Sequence, residues 1–166
     1  MSTRATPNDE LRELFRETIL EHYRHPRNRT TAITDPDIVA HGAHTSCGDS
    51  VHLRLRLDDA GSIAAIEWDG QGCAISQAST SMMTRRMTGK TLAEAEEIVA
   101  EFRALLRGEA IPGGAEWGEL HALEGVRQFP VRMRCALLGW EALANGITRY
   151  HITRQVEAVS GAAKTL

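Results

Sequence analysis

The chain has 166 residues, the length of one domain, and its 42% apolar and 25% charged content is ordinary for a soluble globular protein. A formal charge of −3 argues against a nucleic-acid binder, whose footprint is usually a basic domain. No apolar run approaches the ~18 residues of a membrane span, and the polar start MSTRATPNDE lacks the apolar core of a secretory signal, so the expected location is the cytoplasm.

Asn8 and Asp9 are candidate caps for a first helix, in which Leu11, Leu14, Phe15, Ile19 and Tyr23 recur at roughly helical spacing and predict one apolar face. Pro26 stops it. DIVAH (37–41) reads as a short strand, and the loop HTSCGDSV (44–51) follows. Val51, Leu53, Leu55 and Leu57 alternate with His52, Arg54 and Arg56, the period of a strand with one dry and one wet face. DDAG (58–61) is a turn, and Ile63 to Trp68 return as the second arm of a hairpin.

WDGQGCAIS leads into a helix predicted over 76–87 and ended by Gly89. Thr91 and Glu94 form a capping-box pattern for the next helix, with Leu92, Ala95, Ile98, Val99, Phe102, Leu105 and Leu106 on its apolar face. A Gly/Pro-rich loop (109–119) and a short helix near 120–126 come next. Pro130 opens a last long helix, which Asn145-Gly146 is expected to weaken or end; the tail after Gly161 is expected to fray. The order implies an α+β fold, a small antiparallel sheet with helices packed on one face, in a single domain over 1–166.

Three cysteines cannot all pair, and none forms a CxxC, so Cys47, Cys73 and Cys135 are free thiols, metal ligands or nucleophiles. Cys47 lies in a loop of small residues two positions before Asp49. Cys73 lies where a strand hands over to a helix, and Cys135 in the first turns of a helix. Helix N-termini favour a thiolate over a thiol, and Arg132 and Arg134 add positive charge beside Cys135. Two readings of Cys135 stay open, since Met133, Ala136 and Leu137 also suit a small core hydrophobe. Three thiolates and one carboxylate match the four ligands of tetrahedral zinc. The long gap from Cys73 to Cys135 leaves that set one reading among several. The seven histidines are scattered without an HxxxH pair, and His44 is expected at a strand end facing water.

HYRHPRNR (22–29), TSCGDSVHLRLRLD (45–58), WDGQGCAISQASTSMMT (68–84) and LEGVRQFPVRMRCALLGWEAL (123–143) together resemble the SufU branch of the IscU-like iron–sulfur cluster assembly family. The likeness covers about residues 10–147 and leaves 148–166 unmatched. It implies a three-stranded antiparallel sheet with helices packed on it and the cysteines at one end. It also implies one zinc on Cys47, Asp49, Cys73 and Cys135, with Cys47 as sulfur acceptor. A SufS-type cysteine desulfurase is the implied donor, one of whose histidines takes a place on the zinc and frees the acceptor thiol. Downstream cluster-assembly proteins are the implied recipients.

IscU-type scaffolds carry a His just before the last Cys and an LPPVK-type chaperone motif. Here Arg134 and FPVRMR stand instead, and GEAIPGGAEWGELHALEGVRQF (108–129) fits the insertion of the SufU branch. Arg132 resembles that branch's arginine, with a site-tuning or partner-contacting role. The function implied is a zinc-dependent sulfurtransferase. The alternative is a scaffold that holds iron or a nascent [2Fe–2S] cluster on the same ligands.

Overall fold

The computed structural model describes residues 4, 6–111 and 114–164. The elements run α1 (Pro7–Arg24), β1 (Ile38–His44), β2 (Asp49–Leu57), β3 (Ile63–Gln71), α2 (Ala74–Met87) and α3 (Leu92–Leu106). A 3₁₀ stretch (Gly114–Gln128) and α4 (Pro130–Lys164) complete the chain. The sheet is antiparallel throughout with order β1-β2-β3, so two hairpins suffice to build it. Residues 28–30 add a short parallel bridge to the outer edge of β3, where Trp68 N–H donates to Asn28 O and Thr30 N–H to Trp68 O.

The alternation along β2 sends Val51, Leu53 and Leu55 inward, with Ile38 and Ala40 from β1 and Ile66 and Trp68 from β3 on the same face. α4 covers β1 and β2, and α2 packs on β3. α3 lies against α4 with every predicted apolar position buried, behind the capping box of Thr91 and Glu94. Phe102 stacks on Trp140 with ring centroids 3.9 Å apart, joining α3 to α4. The buried residues form one core cluster. This is the α+β arrangement expected.

Four local expectations change. The cap of α1 is Thr6, with Asp9 at the third helical position completing a capping box; Pro7 then takes a first-turn place where its missing N–H costs nothing. The apolar face expected along α1 is partly covered: Phe15 and Ile19 are half-buried, Leu14 is 60% exposed, Leu11 and Tyr23 are exposed, and the one fully buried residue of the helix is His22. The segment before α4 is a 3₁₀ run, broken where Gly118 leaves helical angles. Part of the expected 109–119 loop, residues 112–113, lies outside the described residues.

Asn145-Gly146 does not end α4, which continues unbroken to Lys164, about 50 Å in all. Gly146 is a contact point rather than a terminator: a Cβ there would lie 2.7 Å from that of Ala40. The absent side chain lets the helix lie on β1. Beyond it the helix leaves the body of the protein, with Ile152, Val156 and Val159 exposed. Thr165 and Leu166 lie outside the described residues.

His22 braces α1 and the 3₁₀ stretch to α2. Its Nε2–H donates to Glu119 Oε2 (2.7 Å), and Ser81 Oγ lies 2.7 Å from its Nδ1. Ser81 also accepts from Arg27 N–H (2.8 Å) and is wholly buried, so this Ser–His–Glu chain is a structural tie, not a nucleophile.

On the outer face of the sheet, Glu67 anchors the crossing segment. It accepts from Ile33 N–H (2.8 Å), Ala32 N–H (3.0 Å) and Arg54 Nε (2.9 Å). Burial pushes its carboxyl up, but the Arg54 guanidinium and the two amides outweigh that and hold it below its usual value. A carboxyl depressed in the folded state contributes stability above its unfolded value, about 4.3, and loses it as pH falls through the lower folded one. Glu67→Gln is expected to cost about 2 kcal/mol in urea melts at pH 7. The gap to wild type should close progressively below about pH 4.

Candidate metal centre

The turn between β1 and β2 is four residues long and carries Cys47 at its exposed tip. Cys47 N–H and Gly48 N–H both reach back to His44 O (3.4 and 2.9 Å), and Gly48 takes φ of 71°, a conformation that glycine adopts freely. His44 ends β1 half-buried rather than facing water. Its Nε2–H donates to Arg134 O (3.0 Å), which ties the Cys47 turn to the first turns of α4 beside Cys135. The sequence held no signal for that bond, because its partner is a backbone atom ninety residues away.

Asp49 opens β2 on the inward face and is only 3% exposed. Its Oδ1 accepts from the backbone N–H of Cys73 (3.1 Å), the residue that caps α2. Its Oδ2 is buried without a hydrogen-bond partner among the described residues. Gln77 Nε2 donates to Gly72 O (2.8 Å), while Arg29 bonds both Gln77 Oε1 (3.0 Å) and Gly70 O (2.7 Å). These contacts clamp the strand-to-helix junction. Both residues lie in stretches the sequence reading singled out, HYRHPRNR and GCAISQAS, but neither was assigned a role there.

The ligand atoms of Cys47, Asp49 and Cys135 all lie within 4.8 Å of one another. Cys73 is exposed at the edge of this group and contacts the Cys135 thiol. All four expected ligands therefore meet at one end of the molecule, three of them closely and Cys73 at the margin. Cys135 is buried beside two other members of the group. Burial, then the neighbouring Asp49 carboxylate and Cys73 thiol, pushes its thiol far above the ordinary range. At 5% exposure it is as buried as the core reading required, and it is also a member of the cluster.

A carboxylate oxygen buried without a partner costs free energy unless a cation or a donor reaches it. Soft thiols around such an oxygen are a donor set that suits a tetrahedral transition ion. The geometry therefore fits a bound metal ion on Cys47, Asp49 and Cys135. The site opens into a cleft of about 900 Å³. Its walls include Arg12, Arg16, Ile19 and Leu20 of α1 as well as Val131 and Arg132 of α4. Arg132 also lies over the ring of Phe129, 5.6 Å from its centroid. The side chain of Arg134 is exposed. The cleft-lining part of α1 was legible only as helical periodicity, which does not say what the helix faces.

A family model described as the NifU-like N-terminal domain matches residues 14–157. The chain belongs to the NifU-like N-terminal domain family. Within this family's relatives it is 36% identical over 143 residues to the zinc-dependent sulfurtransferase SufU of Bacillus subtilis, covering 86% of this chain and 95% of that one. It is 39% identical over 114 residues to the iron–sulfur cluster assembly scaffold protein IscU of Streptococcus pyogenes, covering 66% and 71%. Among solved structures, an iron–sulfur cluster assembly scaffold protein for the SUF system from Fervidobacterium islandicum superposes with a TM-score of 0.73. The two share 30% identity, with 79% of this chain and 94% of that chain covered. A NifU-like N-terminal protein from Brucella abortus also reaches 0.73, at 26% identity, covering 85% and 96%. The family likeness expected from the four motifs is borne out, as is the fold it implied.

Gly72 tests the geometry of the family site in this chain. A Cβ there would lie 2.8 Å from Asp49 Oδ1 and clash with Ser76 Oγ. Gly72→Ala is expected to displace the Asp49 carboxylate and weaken binding of a divalent ion about 10–100-fold, read by competition with a chromogenic chelator. Circular dichroism should remain that of the folded protein.

Proposed function

We propose that this protein is a zinc-dependent sulfurtransferase that accepts persulfide sulfur from a SufS-type cysteine desulfurase at Cys47 and passes it into iron–sulfur cluster assembly. The observation that carries the reading is the placement of Cys47. It is the exposed tip of a four-residue turn, yet its sulfur lies within 4.8 Å of the Asp49 and Cys135 donors. A thiol so placed reaches a partner's surface and a ligand cluster from one loop. The SufU relative, named as a zinc-dependent sulfurtransferase, supports the same assignment.

Cys47, Asp49, Cys73 and Cys135 are the residues that would hold zinc. When bound, the ion supplies positive charge that keeps thiols deprotonated at neutral pH. The chain's own residues do the rest. Asp49 is fixed through Oδ1 by the Cys73 amide and keeps its buried Oδ2 free of other partners among the described residues. The turn at 45–48, with its glycine, lets Cys47 move outward while His44 anchors its base on α4. In the transfer step the Cys47 thiolate attacks the outer sulfur of the donor's persulfide. The donor's S–S bond breaks, its cysteine leaves as thiolate, and Cys47 carries the persulfide. Arg12, Arg16 and Arg132 line the cleft and offset the negative charge gathered there.

Zinc-loaded protein is expected to stimulate alanine release by a cysteine desulfurase supplied with cysteine and a reductant. Cys47→Ser should lose at least 90% of that stimulation, roughly the tenfold or greater loss expected when a nucleophile is removed. Its fold should stay intact. Stimulation unchanged in the variant would refute Cys47 as the acceptor.

The second reading is a scaffold for a nascent [2Fe–2S] cluster on the same donors, favoured by the thiolate-rich set and the IscU-named relatives. Reconstitution with iron and sulfide separates the two. A scaffold develops stable visible absorption that a recipient apoprotein bleaches. The sulfurtransferase stays colourless while active.

A further inference from the structure

The outer face of the β1–β2 hairpin carries a group of imidazole and carboxylate side chains that the thiol site does not use. His41 and His52 are direct cross-strand partners, and Asp69 of β3 pairs with His52 in turn. Directly opposed residues in an antiparallel pair project to the same face with Cβ atoms about 5 Å apart. All three are exposed, whereas Ala40, Val51, Leu53 and Trp68 beside them point into the core. The two imidazole rings lie with centroids 4.4 Å apart, tilted by 38°.

Other histidines here give a ring nitrogen to an oxygen: His22 to Glu119, His25 to Glu21, His44 to Arg134 O and His121 to Glu124. Among the described residues, the ring nitrogens of His41 and His52 have no such partner. Two imidazoles this close together offer nitrogen lone pairs to one shared cation. The nearest cation on that face, Arg54, is committed to Glu67 at 2.9 Å and to Thr30 O at 3.0 Å, so it does not oppose an incoming ion. The Asp69 carboxylate, oriented by the Gly70 N–H on Oδ1 (2.8 Å), adds a negative charge beside His52.

We propose that His41 and His52 chelate a borderline divalent transition ion such as Zn²⁺ or Ni²⁺ on the outer face of the sheet, with Asp69 beside them and water completing the sphere. Imidazole nitrogens with an oxygen donor suit these ions, unlike the harder Mg²⁺ or Ca²⁺. The site is separate from the thiol centre. It lies on the opposite face of β2 from Asp49 and three residues along the strand, about 10 Å away. An ion held there joins β1 to β2 across the hairpin whose turn bears Cys47.

The test uses full-length protein already equilibrated with one equivalent of Zn²⁺, so that the thiol site is filled whichever function it serves. Ni²⁺ is then titrated and followed by paramagnetic broadening of assigned amide resonances and by calorimetry. The expected result is one further saturable site, with broadening centred on 40–42, 51–53 and 68–70. His41→Asn or His52→Asn should each weaken it at least tenfold, and the double variant should abolish it. Thiol-bound zinc, measured by release to a mercurial reagent, should stay at one equivalent in all variants. The proposal is overturned if Ni²⁺ binds the double variant as tightly as wild type, or if broadening centres on His25, His121 or His151. It is equally overturned if no second site saturates.

Discussion

The Asp49 carboxylate is the joint on which the site depends. One oxygen takes the backbone amide of Cys73 and so sets the distance between the start of β2 and the start of α2. The other is buried with no hydrogen-bond partner among the described residues, in a side chain that belongs to the group with Cys47 and Cys135. An interior carboxylate oxygen left without a donor destabilises a protein unless something positive meets it. The fold therefore stores, at this one position, a demand for a cation. The same bond brings together thiols that lie far apart along the chain.

The helices hold that joint from behind. Ser79 of α2 donates to Ala136 O of α4 (2.6 Å) and accepts the indole N–H of Trp140 (2.9 Å), one residue and five residues beyond Cys135. Gly139 lies so close to Thr80 that a Cβ there would be 2.6 Å from its hydroxyl. Stacking of Trp140 on Phe102 then fixes α4 against α3. Cys73 and Cys135 are thus presented by two helices locked at close range, while Cys47 rides on a turn anchored only at His44. Two donors thus come from packed helices and one from a short exposed turn. The outward-facing hairpin surface, with its paired imidazoles, is independent of this framework because it faces away from the core.

Much of the fold was legible locally. The alternation from Val51 to Leu57, the turn at 58–61 and the capping box at Thr91 each follow from steric and hydrogen-bonding rules within a few residues, and each stands as read. The failures share one cause. Leu11, Leu14 and Tyr23 have core-like spacing, but whether a helix face is buried depends on what lies opposite, and here much of it borders open cleft or solvent. Asn145-Gly146 looked like a stop because glycine lowers helix propensity. Close packing of Gly146 on Ala40 overrides that preference, and the helix runs on.

By itself the sequence determined the element order, the strand register that buries one face, and the small set of residues able to ligate a soft ion. Those properties depend on neighbours along the chain, where side-chain type and spacing suffice. Only the tertiary structure decided that Cys47, Asp49 and Cys135 meet within 4.8 Å, that Asp49 Oδ2 has no donor among the described residues, and that His41 and His52 lie ring to ring. Each of these is a relation between segments that nothing in the local pattern ties together. The packing of α2 and α4 on the sheet brings the thiol group into range, and the β1–β2 register sets the two imidazoles opposite each other.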